Sequence, residues 1–186
     1  MKRTITAVLT LALVLTVTTV IATTAAAAGS KPGPYEIDGS IGFGSGSGDF
    51  DAGFGANFGA GYMLDSIDKN LQARIDLGYY NFSRDFFGIG LDFTRMPITI
   101  GARYYFPVAD QLKLFAQAGV ETSLDKKDTF DLFMGKHSKS EVNLGITPGA
   151  GVDFSISPEV SAFAVASIHL ISDDYFSMQF GAAYHF

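Results

Sequence analysis

The sequence predicts an all-β protein: an eight-stranded antiparallel up-and-down transmembrane β-barrel behind a cleaved signal peptide. Three observations carry this expectation. Apolar and polar residues alternate with period two in eight segments, the connections between them alternate in character, and the apolar face of the segments carries almost no charge.

The chain opens MKRTITAVLTLALVLTVTTVIATTAAAAGS. Lys2 and Arg3, the apolar stretch from Ile5 to Ala22 and the small-residue run from Ala25 to Ala28 have the layout of a secretory signal peptide, with cleavage before Gly29. The apolar stretch barely reaches the length of a spanning helix. Its interspersed threonines and the polar GSKPGP that follows favour cleavage. Residues 1–28 are therefore expected to be signal peptide and residues 29–186 one barrel domain. No second apolar run is long enough for a membrane helix, so a membrane-embedded mature chain must cross with strands.

The expected strands are 35–43, 50–64, 71–80, 94–106, 111–122, 141–156, 160–171 and 175–186. Segment 94–106 is typical: Met96, Ile98, Ile100, Ala102, Tyr104 and Phe106 oppose Arg95, Thr99, Arg103 and Tyr105. Connections 65–70, 107–111 and 157–159 are short. The other set, 44–49, 83–92, 123–140 and 172–174, includes the two longest. Short turns at one end and longer loops at the other are the plan of a membrane barrel.

A soluble barrel with the same periodicity would hide its apolar face, whereas a membrane barrel shows it. Segment 50–64, FDAGFGANFGAGYML, decides between them: one face carries Phe54, Phe58 and Tyr62, the other mostly glycine. A solvated glycine face would weaken the strand, but a lumen with just enough room for side chains needs one. A simple register about 65–70 sets Gly61 opposite Arg74, Gly59 opposite Asp76 and Gly55 opposite Tyr80. Aromatics near the strand ends fit interfacial girdles: Phe43, Phe50, Tyr79 and Phe176 on the loop side, Tyr62, Tyr104, Phe154, Tyr184 and Phe186 on the turn side.

The chain has 19 acidic and 13 basic residues, with no basic stripe, which argues against nucleic acid as a partner. It has no Cys, so an exported protein of this kind holds together without disulfides. GFGSGSG at 42–48 leads into a strand rather than a helix, so it is not a phosphate-binding loop. Arg74, Asp76, Arg95, Arg103, Lys113, Glu121 and Asp153 form the expected lumen charge network. Folding 94–106 onto 111–122 about residue 108 sets Arg95 opposite Glu121 and Arg103 opposite Lys113. The latter pair requires carboxylates from across the lumen, such as Glu36, Asp38 or Asp153. Such a network either fills and closes the barrel or gates a narrow polar conduit.

Reflecting the last two strands onto each other brings His169 near Ser177 and His185 near Ser161, roughly 25 Å apart, so the two share no metal. Closure of the barrel brings His185 to Glu36 or Asp38. The long loop carries Lys126, Lys127, Lys136 and Lys139 beside Phe130 and Phe133, a candidate surface-contact set for an unidentified ligand or for lipopolysaccharide phosphates.

RMPITIGARYYFPVADQLKLFAQAG (95–119) and the chain end FSMQFGAAYHF resemble the small outer-membrane β-barrel family of Gram-negative bacteria that includes OmpX and OmpW. The resemblance covers essentially the whole chain and implies an integral outer-membrane location. It also implies that the last strand with its final Phe186 is recognised by the barrel-assembly machinery. Some small barrels are lipid A deacylases or acyltransferases using His and Ser, which invites comparison with His169 and Ser172, but no orienting carboxylate follows at the expected strand position. The expectation is a monomeric structural or surface-interaction protein without catalytic residues, metal or cofactor. A narrow solute channel is the alternative, and a lipid A-modifying enzyme stands behind it.

Overall fold

A computed structural model describes residues 33–46, 52–86, 89–131 and 135–186. The signal peptide assigned to 1–28 and the aromatic Phe50 lie outside them. The described residues form eight strands: β1 Tyr35–Gly46, β2 Gly53–Met63, β3 Leu71–Phe86, β4 Ile89–Ala109, β5 Leu112–Asp131, β6 Gly135–Ser155, β7 Val160–His169 and β8 Tyr175–His185. Each pairs antiparallel with its neighbour in sequence, and β8 returns to β1, closing the barrel.

The two faces follow the sequence alternation with the apolar side outward. Phe54, Phe58, Leu77, Ile98, Ile100, Val120, Leu144 and Phe180 are exposed on the wall. Glu36, Asp38, Arg74, Arg95, Arg103, Glu121, Asp125, Asp153 and His169 are buried in the lumen. Along β4, the ten steps from Met96 to Phe106 give an apolar band of roughly 24 Å at ~3.4 Å per residue and ~45° of tilt, the height of a bilayer's hydrocarbon layer.

The glycine face of β2 points inward against large partners, in the register set out above: Gly61 pairs with Arg74, Gly59 with Asp76 and Gly55 with Tyr80. A Cβ on Gly55 would lie 2.3 Å from the Tyr80 ring, and one on Gly59 would lie 2.6 Å from the Arg74 guanidinium. No side chain larger than hydrogen fits there without displacement.

Two expectations require correction. The segments 83–92 and 123–140 are not loops: β3 and β4 run to Phe86 and Ile89, and β5 and β6 run to Asp131 and Gly135. Past the apolar band the outward positions Thr94, Lys126 and Ser140 are polar like the residues between them, so alternation no longer marks the strands. The β4–β5 turn also sits four places later in the pairing sum than a fold about residue 108 allows. Arg95 pairs with Asp125, Thr99 with Glu121 and Arg103 with Gln117, while Lys113 pairs with Pro107. Pro107 does not end β4; the strand continues through an irregularity to Ala109 and turns at Asp110–Gln111.

Candidate functional site: the lumen and the projecting sheet

The lumen is packed in layers. On the short-turn side, Tyr105, Phe115, Phe163, Val165 and Ala183 form one buried cluster, with Met63 against it. On the loop side, Tyr80, Phe82, Phe93, Ile171 and Tyr175 form a second. These inward aromatics were not singled out as plugs from sequence, although their odd placement on polar faces was the available signal.

Ion pairs fill the space around and between the plugs. The Arg74 guanidinium donates to Asp76 (Nε–Oδ2 2.9 Å) and Asp38 (Nη2–Oδ2 2.9 Å) and lies 3.5 Å from Glu36. Glu36 also accepts from Gln72 Nε2 at 2.8 Å and Tyr105 OH at 3.2 Å, and meets Arg103 at 3.7 Å and His185 at 3.5 Å. The Arg103–Lys113 opposition therefore does not arise. Arg103 Nη2 donates to Gln117 at 2.9 Å and stacks 4.1 Å above the Phe115 ring, while the Lys113 ammonium lies 5.5 Å from the Tyr105 ring and its residue pairs with Asp153.

Higher in the lumen, Arg95 makes a two-pronged pair with Asp125 (2.9 and 2.6 Å), donates to the Asp173 carbonyl at 2.8 Å and lies 4.9 Å from the Tyr175 ring. Asn143 donates to the same Asp125 at 2.9 Å. Such a pair gains from its geometry and added hydrogen bonds what desolvation takes away. Asp153 accepts from Ser161 at 2.7 Å, and Ser161 lies 3.3 Å from His185 Nε2.

Glu121 does not meet Arg95. Its Oε2 lies 2.5 Å from His169 Nδ1 and accepts from Thr147 Oγ1 at 2.6 Å; His169 Nε2 lies 2.8 Å from Ser177 Oγ. The histidine neighbour is thus Ser177 rather than Ser172, and a carboxylate does orient the ring. It comes from β5, two strands away across β6, which sequence spacing along one strand does not reveal. The order serine, histidine, carboxylate is that of an activated nucleophile. Here Ser177 and Glu121 are fully buried, and Tyr175 stacks on His169 with 3.8 Å between centroids. The neighbouring lumen cavity, lined by Asp38, Asn57, Arg74, Gln117, His169 and Gln179, measures about 30 Å3. That is room for about two or three waters and far below the size of a small-molecule pocket.

Outside the wall, the row Met96–Leu124–Val142 is apolar, and the next outward-facing row, Thr94–Lys126–Ser140, is polar. Beyond that boundary β3 to β6 continue as a four-stranded sheet, paired as far as Phe86 with Ile89, Asp92 with Asp128 and Asp131 with Gly135. Lys126 and Lys139 are exposed on it, and Lys139 is ion-paired with Glu141. Lys127, Phe130, Lys136 and His137 fall on its strand backbone, with side chains outside what is described. Phe133 lies wholly outside the described residues. Among the described residues no group of histidines and carboxylates converges as a metal site.

The outer membrane protein beta-barrel domain model matches residues 12–186. No curated protein matches the chain. Among solved structures, Neisserial surface protein A is 18% identical with a TM-score of 0.61, covering 84% of this chain and all of that one. Ail, the attachment invasion locus protein of Yersinia pestis, solved with the heparin analogue sucrose octasulfate, is 18% identical with a TM-score of 0.56, covering 82% and 99%. The outer membrane protein OprG from Pseudomonas aeruginosa is 12% identical with a TM-score of 0.62, covering 85% and 98%. At these identities the likeness is one of fold. The apolar wall, the polar lumen and the match over most of the chain make this an integral outer-membrane barrel, and the chain belongs to the outer membrane protein β-barrel domain family.

Proposed function

We propose that this protein is a closed outer-membrane scaffold that contacts material outside the cell through the sheet β3 to β6 raise above the rim. The observation that carries the reading is the contrast between the two ends of the design. The lumen is filled by two aromatic plugs and paired charges around a cavity of about 30 Å3, while four strands continue outward past the apolar band. A conduit would need both plugs to part, and an acyl-transfer site would need Ser177 to be reachable.

Lipopolysaccharide phosphates are the proposed neighbours of Lys126 and Lys139, which stand on the polar side of the boundary. Phe186, stacked between Tyr35 and Tyr184 at 5.8 and 5.9 Å, is the proposed contact of the assembly machinery during insertion. The mature barrel acts as a monomer. Attachment is a role that Ail carries in its name, and the shared barrel supports it here by analogy of fold alone.

Deleting residues 128–138 in cells that display the protein tests the reading. Loss of cell-surface binding or of envelope integrity, with normal insertion, is the expected result. Unchanged binding and unchanged envelope would overturn it.

A further inference from the structure

The two edges of β6 are held unequally. Toward β5 the ladder runs unbroken from Leu112–Phe154 to Asp131–Gly135. Toward β7 it runs from Ser155–Ser161 to Gly149–Ser167 and then breaks, and among the described residues one bridge, Ile146–Leu170, lies beyond the break. That bridge keeps the register of the pairs below it, which sets Pro148 opposite Ile168. Ile146 N–H donates to the Leu170 carbonyl at 3.1 Å, and its own carbonyl accepts from Leu170 N–H at 2.9 Å. Residues of this parity on β6 therefore turn their backbone groups to β7. Pro148 shares the parity but has no N–H, so it gives the Ile168 carbonyl no donor.

Half of the loop-side plug stands beyond this break. Ile171 and Tyr175 come from the β7–β8 tip, and Tyr80, Phe82 and Phe93 come from β3 and β4. Tyr175 meets Tyr80 and Phe82 edge-on, at 5.8 and 5.9 Å between centroids. Arg95 Nη1 ties the tip across the lumen by donating to the Asp173 carbonyl at 2.8 Å, and His169 ties it to Glu121. Ile171 N–H donates to Asp174 Oδ1 at 2.9 Å, which closes the turn on itself. β7 and β8 are paired as far as His169–Tyr175, so the tip is one unit. β8 stays paired with β1 as far as Tyr175–Gly46, and that seam is the natural hinge. Beneath the tip lies the lumen cavity, whose wall includes Asn57, Asp76, Thr99, Gln117 and His169.

We propose that the β7–β8 tip, residues 168–175, is a lid that swings away from β6 and opens the lumen cavity to small polar solutes on the loop side. The cluster of Tyr105, Phe115 and Phe163 stays in place below, so the opening makes a recess and not a conduit. Local openings of this kind draw on the least-bonded seam of a fold, and here Pro148 sets where that seam is. The inference goes beyond the surface-contact reading and does not depend on it.

The test uses the full mature barrel in nanodiscs. Ile146 N–H faces the lid seam, whereas Gly145 and Thr147, beside it on the same strand and at nearly the same depth, face β5. Protection from amide exchange should be about tenfold or more weaker at Ile146 than at these two neighbours. Pro148→Ala supplies the donor for Ile168 and should raise protection at Ile146 about fivefold without moving its neighbours. The chain has no cysteine, so Thr99→Cys sets a lone thiol on the cavity wall. Aminoethyl methanethiosulfonate is too large for the closed cavity, and its reaction with that thiol reads the opening. Modification is expected, several-fold slower when Pro148→Ala is added. Equal protection at 145, 146 and 147, a thiol that stays unmodified, or a modification rate indifferent to Pro148→Ala would overturn the lid. The exchange contrast and the Thr99→Cys reaction are read with Pro148 in place, so they decide the matter even if Pro148→Ala does not fold.

Discussion

Gly59 and Gly39 show how much a single position depends on which side of the wall it faces. A Cβ on Gly59 would lie 2.5 Å from Asp38 Oδ2 and 2.6 Å from Arg74 Nη2, whereas one on Gly39 meets nothing within 4 Å. Gly59→Leu should therefore lower stability by about 3 kcal/mol or abolish folding, because it both overpacks the lumen and pushes the Arg74 pairs apart. Gly39→Ala should be neutral or slightly stabilising. Urea unfolding of both variants from lipid vesicles checks the contrast. At Arg95, Asp125→Ala strands a buried guanidinium that, among the described residues, keeps the Asp173 carbonyl as its hydrogen-bond acceptor. A loss of about 3–5 kcal/mol is expected in the same assay, and Arg95→Met, which removes the charge as well, should lose less than Asp125→Ala.

At the scale of elements, the strand count and the inward and outward sets were legible in the sequence, and the reach of β3 to β6 was not. Where the outer face meets lipid, Val142, Leu144 and Ile146 alternate cleanly with Asn143, Gly145 and Thr147. Past Ser140 the run KHSK places polar residues at every position, so the period-two signal disappears. The β4–β5 pairing went wrong by an even number of places. Every side chain was therefore on the right face but beside the wrong partner, as happens when Pro107 is taken for a turn while the strand runs through it. The alternation of backbone groups along β6 predicts a second contrast. Asn143→Pro removes an N–H from the β5 ladder and should cost about 2–3 kcal/mol, while Val142→Pro removes one that, like that of Ile146, faces away from β5, on a flank where β7 pairing has ended, and should cost less. Comparative unfolding of the two variants, with heat-modified gel mobility as the check on folding, decides it.

For the molecule as a whole, closure of β8 on β1 was readable because it follows from eight alternating strands, and it places His185 beside Glu36. Contacts that jump a strand were readable only where an unpaired charge demanded one, as Arg103 demanded the carboxylate that Glu36 supplies at 3.7 Å. The reach of Glu121 to His169 across β6, and the meeting of Tyr80, Phe93 and Tyr175 in one plug, depend on strand tilt and stagger, which a local pattern does not encode. The inverted arrangement makes its own prediction. Ile100, 63% exposed near the middle of the band, should tolerate Leu but lose about 2–4 kcal/mol as Arg in lipid vesicles. The most direct test of the closed scaffold is the conductance of the refolded mature protein in a planar bilayer. The account predicts a silent membrane for the wild type and for Arg103→Ala, since Tyr105, Phe115 and Phe163 still block the lumen below and Tyr80, Phe93 and Tyr175 block it above. Discrete, reproducible conductance steps from the wild-type barrel would contradict it.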